Sequence, residues 1–75
     1  MAFLADLEAL IVDRKSNPSE KSYTSSLFRD GVERISRKVG EESVEVIIEA
    51  LVHNKERFEE EAADLIFHLM TLIVS

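Results

Sequence analysis

The chain has 75 residues, no cysteine, 45% hydrophobic residues and a formal net charge of −6. That describes one small domain, 1–75, with no disulfide or cysteine-bound zinc to staple it. Its acidity argues against nucleic acid as a bulk ligand. Met1-Ala2-Phe3-Leu4 runs directly into Asp6 and Glu8, which is unlike a signal peptide. The longest greasy stretch, Leu65 to Val74, is about half a membrane span. A cytoplasmic protein with no membrane partner is expected.

Taken in order, Ala2 to about Lys15 reads as an amphipathic helix. Phe3, Leu4, Leu7, Leu10 and Ile11 keep the i, i+3, i+4, i+7 rhythm, and Asp6, Glu8 and Asp13 face away. It stops at Ser16-Asn17-Pro18. Arg14 and Lys15 complement the helix dipole there, and Arg14 is also a candidate phosphate ligand. The polar stretch Ser19 to Tyr23 follows. Thr24 or Ser22 can cap a short helix over Ser25 to Asp30, anchored by Leu27 and Phe28. Lys21, Ser22, Tyr23 and Thr24 offer a cation, hydroxyls and backbone amides to a phosphate or sugar, although an ordinary capped loop has the same composition. Gly31 ends or reorients that helix.

Val32 to about Val52 reads as a long helix, His53-Asn54 as a turn, and Asn54 as the N-cap of a last helix. On a wheel of 100° per residue, Glu42, Glu45 and Glu49 fall within about a 60° arc. Ile, Leu, Val and Ala fill most of the remainder. In the last helix Glu61, Asp64, His68 and Thr71 share an arc of about 80°, again in an otherwise greasy cylinder. Glu56, Glu59 and Glu60 enrich its first turn and read as structural. Helices apolar nearly all round need neighbours on every side. The expected fold is therefore all-α, a small bundle of about four helices, one of them short, completed by homodimerisation.

Residues 41–64 hold nine acids against Lys55 and Arg57. If the two long helices fold back at His53-Asn54, Glu45 faces Glu61 and Glu42 faces Asp64. Four carboxylates converging among apolar side chains are costly unless a cation meets them. An oxygen-only donor set of this kind suits Mg²⁺, with Mn²⁺ as a substitute. Lys38 lies in the same stripe one turn before Glu42. It is either an i, i+4 partner of Glu42 or a contact for a phosphate extending from the metal. Gly40 costs its helix about 1 kcal/mol against alanine. His53 reads as a solvated turn residue. His68 reads as a buried histidine hydrogen-bonded to a carboxylate, orienting ligands rather than being one.

Glu42-x-x-Glu45, then fifteen residues, then Glu61-x-x-Asp64 resembles the paired motif of the MazG-like all-α nucleoside triphosphate pyrophosphohydrolases. Within that superfamily, Ser22-Tyr23-Thr24-x-x-Leu27-Phe28, Lys38-Val39-Gly40-Glu41-Glu42 and Ala63-Asp64-Leu65-x-x-His68 are similar to the phosphoribosyl-ATP pyrophosphatases. The resemblance runs from about Leu7 to Leu72. It implies Mg²⁺-dependent hydrolysis of phosphoribosyl-ATP to phosphoribosyl-AMP and pyrophosphate in histidine biosynthesis, by a helical dimer. Glu42, Glu45, Glu61 and Asp64 would then hold the magnesium, with Glu41 close by. Lys38, Lys21 and the Ser22–Thr24 loop would contact phosphate and ribose.

The chain departs from the family pattern in being slightly shorter at its C-terminus. It also carries no fused cyclohydrolase domain, so the next pathway step is expected on another protein. Two other readings stand beside this one. A relative that hydrolyses free (deoxy)nucleoside triphosphates for pool cleaning would use the same four acids. A non-catalytic acidic helical dimer would use them only to meet a basic partner.

Overall fold

A computed structural model describes residues 2–75. The chain forms four helices, α1 (Ala2–Ser16), α2 (Tyr23–Asp30), α3 (Val32–Leu51) and α4 (Lys55–Val74), with no strand among the described residues. The all-α bundle expected from the sequence is therefore the architecture found. α3 and α4 pack as an antiparallel hairpin. α1 lies against α4, and α2 bridges α1 and α3.

Local chemistry sets the helix boundaries. Ser22 is the cap of α2: its Oγ accepts from the Ser25 amide at 3.1 Å. A cap at Ser22 starts the helix at Tyr23, two residues before the predicted Ser25. Ser25 is itself buried, receiving the Ser19 amide at 3.1 Å and donating to the Arg14 carbonyl at 3.3 Å. This hydroxyl fastens the loop after α1 to the helix it leaves. Gly31 separates α2 from α3 with φ 88° and ψ −177°, a conformation open essentially to glycine alone. Its amide closes α2 on the Leu27 carbonyl at 2.9 Å.

At the other end of α3, His53 takes the left-handed conformation with φ 59°, a common way to terminate a helix. Asn54 then caps α4, its Oδ1 accepting from the Arg57 amide at 3.2 Å. Both features agree with the sequence reading of an exposed turn at 53 and a cap at 54.

The core lies where all four helices meet, far from that turn. Every helix contributes to it with fully buried side chains: Ile11 from α1, Ser25 and Leu27 from α2, Ile35 from α3 and Thr71 from α4. The Thr71 hydroxyl is satisfied by the Phe67 carbonyl at 2.8 Å, so its burial leaves no polar group unpaired. Beyond this point the packing thins. Of the apolar stripe expected to bury α1, Ile11 is buried and Leu4 and Leu7 are half-buried, but Phe3 and Leu10 are exposed. α1 rests mainly on α2 and α4, which do not cover the whole stripe. Val44, Ile47, Ile48 and Leu51 on α3 are exposed for the same reason, as are Ile66, Leu69 and Ile73 on α4. α1 and α4 enclose an apolar groove of about 340 Å³ lined by Phe3, Leu4, Ile66, Leu69, Met70 and Ile73. No described helix is long and apolar enough to cross a membrane.

Candidate metal centre

The middle of the α3–α4 hairpin carries the chemistry. Glu42 from α3 meets Glu61 and Asp64 from α4, with one carboxylate oxygen of each lying within 4.8 Å of the others. Glu61 and Asp64 are three residues apart, so they project from one face of α4 and both reach Glu42. This corrects the predicted facing of Glu45 with Glu61: it is Glu42 that meets Glu61. A ridge-into-groove contact places a side chain between two partners rather than opposite one. Glu45 is half-buried on the same side of α3, about 60° further round the helix, and lies outside the cluster of three.

The electrostatics of the cluster follow from this crowding. The Glu42 carboxyl is pushed up from 4.5 to about 7, first by burial, then by its hydrogen bond to Glu61 and the charges of Glu61 and Asp64. Lys38 works in the opposite direction. Without a cation, then, Glu42 keeps its proton more readily than a free carboxyl does, the usual outcome when like charges share a site. Glu61 is held on its other side by Arg57, whose Nη2 donates to Oε1 at 3.1 Å while Nη1 donates to Glu60 at 3.3 Å. Glu61 is the buried member and Asp64 the exposed one, so the cluster opens to solvent on one side. Three converging carboxylates are a hard-oxygen donor set of the kind that suits Mg²⁺ or Mn²⁺. The residues present fit such an ion.

His68 is 5% exposed and fully satisfied. Its Nδ1 lies 2.8 Å from the Asp64 carbonyl, an acceptor only, so Nδ1 carries the hydrogen and donates. Nε2 then accepts from the Tyr23 hydroxyl at 2.8 Å. The sequence reading of a buried, satisfied histidine agrees with this geometry, but its partner is a backbone carbonyl rather than a carboxylate. In an α-helix a side chain four residues on reaches the i carbonyl more directly than the i side chain does.

The predicted phosphate contacts divide into two groups. Lys38 pairs with Glu41 at 3.6 Å and lies close enough to act on Glu42. Arg14 pairs with Asp13 at 2.7 Å on α1, and Lys21 is exposed in the loop with its amide on Ser19 Oγ. Neither has an ion pair with Glu42, Glu61 or Asp64 among the described residues. Ser22 Oγ is used as the cap and the Tyr23 hydroxyl is used by His68, so two of the three loop hydroxyls serve the fold. Thr24 is half-buried. Arg57 was missed by sequence reasoning as a partner of the acids, although its i, i+4 spacing to Glu61 could have revealed it.

Comparison with known proteins points to the family that the sequence motifs resemble. The family model for phosphoribosyl-ATP pyrophosphohydrolase matches residues 4–75. The chain belongs to that family. It is 55% identical over 74 residues to a phosphoribosyl-ATP pyrophosphatase of Leptospira biflexa, covering 99% of this chain and 80% of the relative. It is 51% identical over 70 residues to that of Zymomonas mobilis, covering 93% of this chain and 65% of the relative. Against the histidine biosynthesis bifunctional protein HisIE of Escherichia coli it is 46% identical over 71 residues, but spans 35% of that protein's length. The phosphoribosyl-ATP pyrophosphohydrolases are hydrolases, which is the enzyme class expected from the sequence.

Proposed function

We propose that the chain hydrolyses the α–β phosphoanhydride of phosphoribosyl-ATP, giving phosphoribosyl-AMP and pyrophosphate in histidine biosynthesis, with Mg²⁺ or Mn²⁺. The observation that carries this reading is the meeting of Glu42, Glu61 and Asp64 in the middle of the α3–α4 hairpin. The family match and the named activities of the Leptospira and Zymomonas relatives support the substrate. Glu42, Glu61 and Asp64 would hold the ion, with Glu45 as the fourth carboxylate from the same side of α3. When bound there, a divalent ion offsets charge on the phosphates and lowers the pKa of an attacking water.

The chain's own residues supply the rest. Arg57 keeps Glu61 directed into the cluster, and His68 fixes the α4 backbone at Asp64. Glu42, titrating near 7, gives up its proton at neutral pH without the penalty of a fully buried acid. Lys38, one turn away on α3, faces the phosphates that extend beyond the acids. Lys21, Thr24 and Arg14 remain secondary candidates for substrate contact.

The same reading covers the exposed apolar side chains. Val44, Ile47, Ile48 and Leu51 on α3, and the groove between α1 and α4, supply apolar surface that a homodimer would bury. Cytoplasmic residence accords with a small-molecule biosynthetic substrate.

The deciding experiment measures pyrophosphate release with Mg²⁺ from phosphoribosyl-ATP and from a panel of ordinary and deoxy nucleoside triphosphates. Preference for phosphoribosyl-ATP, lost in Glu42→Gln, is the expected result. Preference for a free triphosphate would move the protein to nucleotide pool cleaning. No release from any substrate by the folded protein would leave a binding module.

A further inference from the structure

The half-buried side of α3 changes sign along its length. Arg34, Lys38, Glu42, Glu45 and Glu49 are all half-buried. Arg34, Lys38 and Glu42 are spaced by four, so they form one row, with Arg34 about 12 Å along the axis from Glu42. Acids occupy the end nearer the turn and cations the end nearer α2. Lys38 belongs to the acid end through Glu41 and Glu42. Arg34 stands apart from it.

Arg34 is held by three neighbours. Its Nη1 donates to Asp30 Oδ2 at 2.6 Å and to Ser26 Oγ at 3.2 Å, and its Cζ lies 5.6 Å over the Tyr23 ring. The ordinary explanation is an i, i+4 ion pair with Asp30, worth a few tenths of a kcal/mol. Arg37 with Glu33 is such a pair: 3.5 Å apart, with side chains 65% and 89% exposed. Arg34, at 32%, is confined from three sides instead. Among the described residues only Nη1 of its guanidinium is hydrogen-bonded, which leaves the remaining N–H groups of a pre-oriented fork free to donate. Its aromatic platform is tied to the acids, because the Tyr23 hydroxyl binds His68, which binds the Asp64 carbonyl.

Phosphoribosyl-ATP has two anionic ends, the triphosphate and the phosphate of the added ribosyl group, separated by the nucleoside. ATP has only the first. One row of side chains can engage both ends only if its cations extend well away from the acids. We infer that Arg34, set over Tyr23, is the specificity-determining residue that binds the ribosyl phosphate absent from ATP. This rests on the activity proposed above and adds the group that reads the substrate.

Calorimetry with the products tests it without turnover, comparing phosphoribosyl-AMP with AMP on the full chain. The wild type is expected to favour phosphoribosyl-AMP by about tenfold or more, the scale of a charge-assisted contact. Arg34→Gln should bring that ratio close to one while leaving AMP affinity unchanged. Arg34→Lys keeps the charge and the Asp30 pair but loses the fork, and should lose the preference in part. It decides the matter if the Gln variant does not fold. Asp30→Asn removes the ion pair alone and should keep the preference. A preference that survives both Arg34 variants, or equal losses for both ligands, overturns the inference and leaves the activity standing. A wild type with no preference, which releases pyrophosphate from ordinary triphosphates, overturns the activity itself.

Discussion

The Tyr23 hydroxyl and His68 Nε2, 45 residues apart in sequence, lie 2.8 Å from each other. The same imidazole donates from Nδ1 to the Asp64 carbonyl at 2.8 Å. One buried ring thus joins the first residue of α2 to the backbone beneath a cluster carboxylate. Removing the hydroxyl leaves a buried nitrogen unpaired, at a cost of about 1–3 kcal/mol. Tyr23→Phe should therefore lower Tm, by roughly 4–8 °C for each kcal/mol in a domain of this size. Thermal unfolding of the two proteins checks this. An unchanged Tm with a raised KM would mean that the hydroxyl serves substrate rather than the fold.

A cation that binds the acids should stabilise the folded chain by mass action, about 2.7 kcal/mol at a hundredfold excess over Kd. The Mg²⁺-dependent rise in Tm should vanish in Glu42→Gln, because Glu42 is the member of the cluster supplied by α3. Glu61→Gln and Asp64→Asn should act alike. Glu45→Gln should reduce the rise and shift it to higher Mg²⁺, since Glu45 stands outside the cluster of three. A full response in Glu42→Gln would show that the ion binds elsewhere.

The raised pKa of Glu42 gives stability a pH dependence of definite sign. Glu42 holds its proton up to about 7 in the folded chain, against 4.5 ordinarily. Between those values the folded state binds more protons than the unfolded one. The Glu42 contribution is therefore fully present below 4.5 and is lost as pH rises through about 7. In metal-free buffer, Glu42→Gln should remove this part of the slope, because an amide can still donate to Glu61 but does not titrate. Divalent binding expels the proton, so the Mg²⁺-induced rise in Tm should be larger at about pH 8 than at about pH 6. Denaturation at a series of pH values, with and without Mg²⁺, reads both effects.

Much of this was legible from periodicity and caps. The α3–α4 hairpin, the Asn54 cap and the acids of the shared site are local patterns, set by 3.6-residue spacing and one turn. The pairing of Glu42 with Glu61 was not, because wheel geometry gives a face but not the groove in which a side chain lies. The Tyr23–His68 bond was also beyond reach, since it depends on how α2 is laid across the hairpin. α1 misled for a related reason. Its apolar rhythm predicts a buried face, yet burial depends on the neighbours available, and among its described residues only Ile11 is fully covered. Gly31 was read correctly as a break, whereas its φ of 88° is known only from the structure.

The two glycines make opposite predictions from the same substitution. Alanine at either position meets nothing within 4 Å, so neither change creates a clash with the rest of the chain. Backbone conformation alone decides the outcome. Gly40 lies inside α3, where alanine is favoured by about 1 kcal/mol, so Gly40→Ala should raise stability by about that much. Gly31 has φ 88° with extended ψ, a region that a side chain reaches only with strain of about 1–3 kcal/mol. Gly31→Ala should therefore destabilise, and should loosen the junction from which α3 starts and α2 ends. Urea unfolding of the two variants beside the wild type gives the comparison. A loss of stability in Gly40→Ala would mean that Gly40 is pressed against a second copy of the chain, which no contact within one chain would explain.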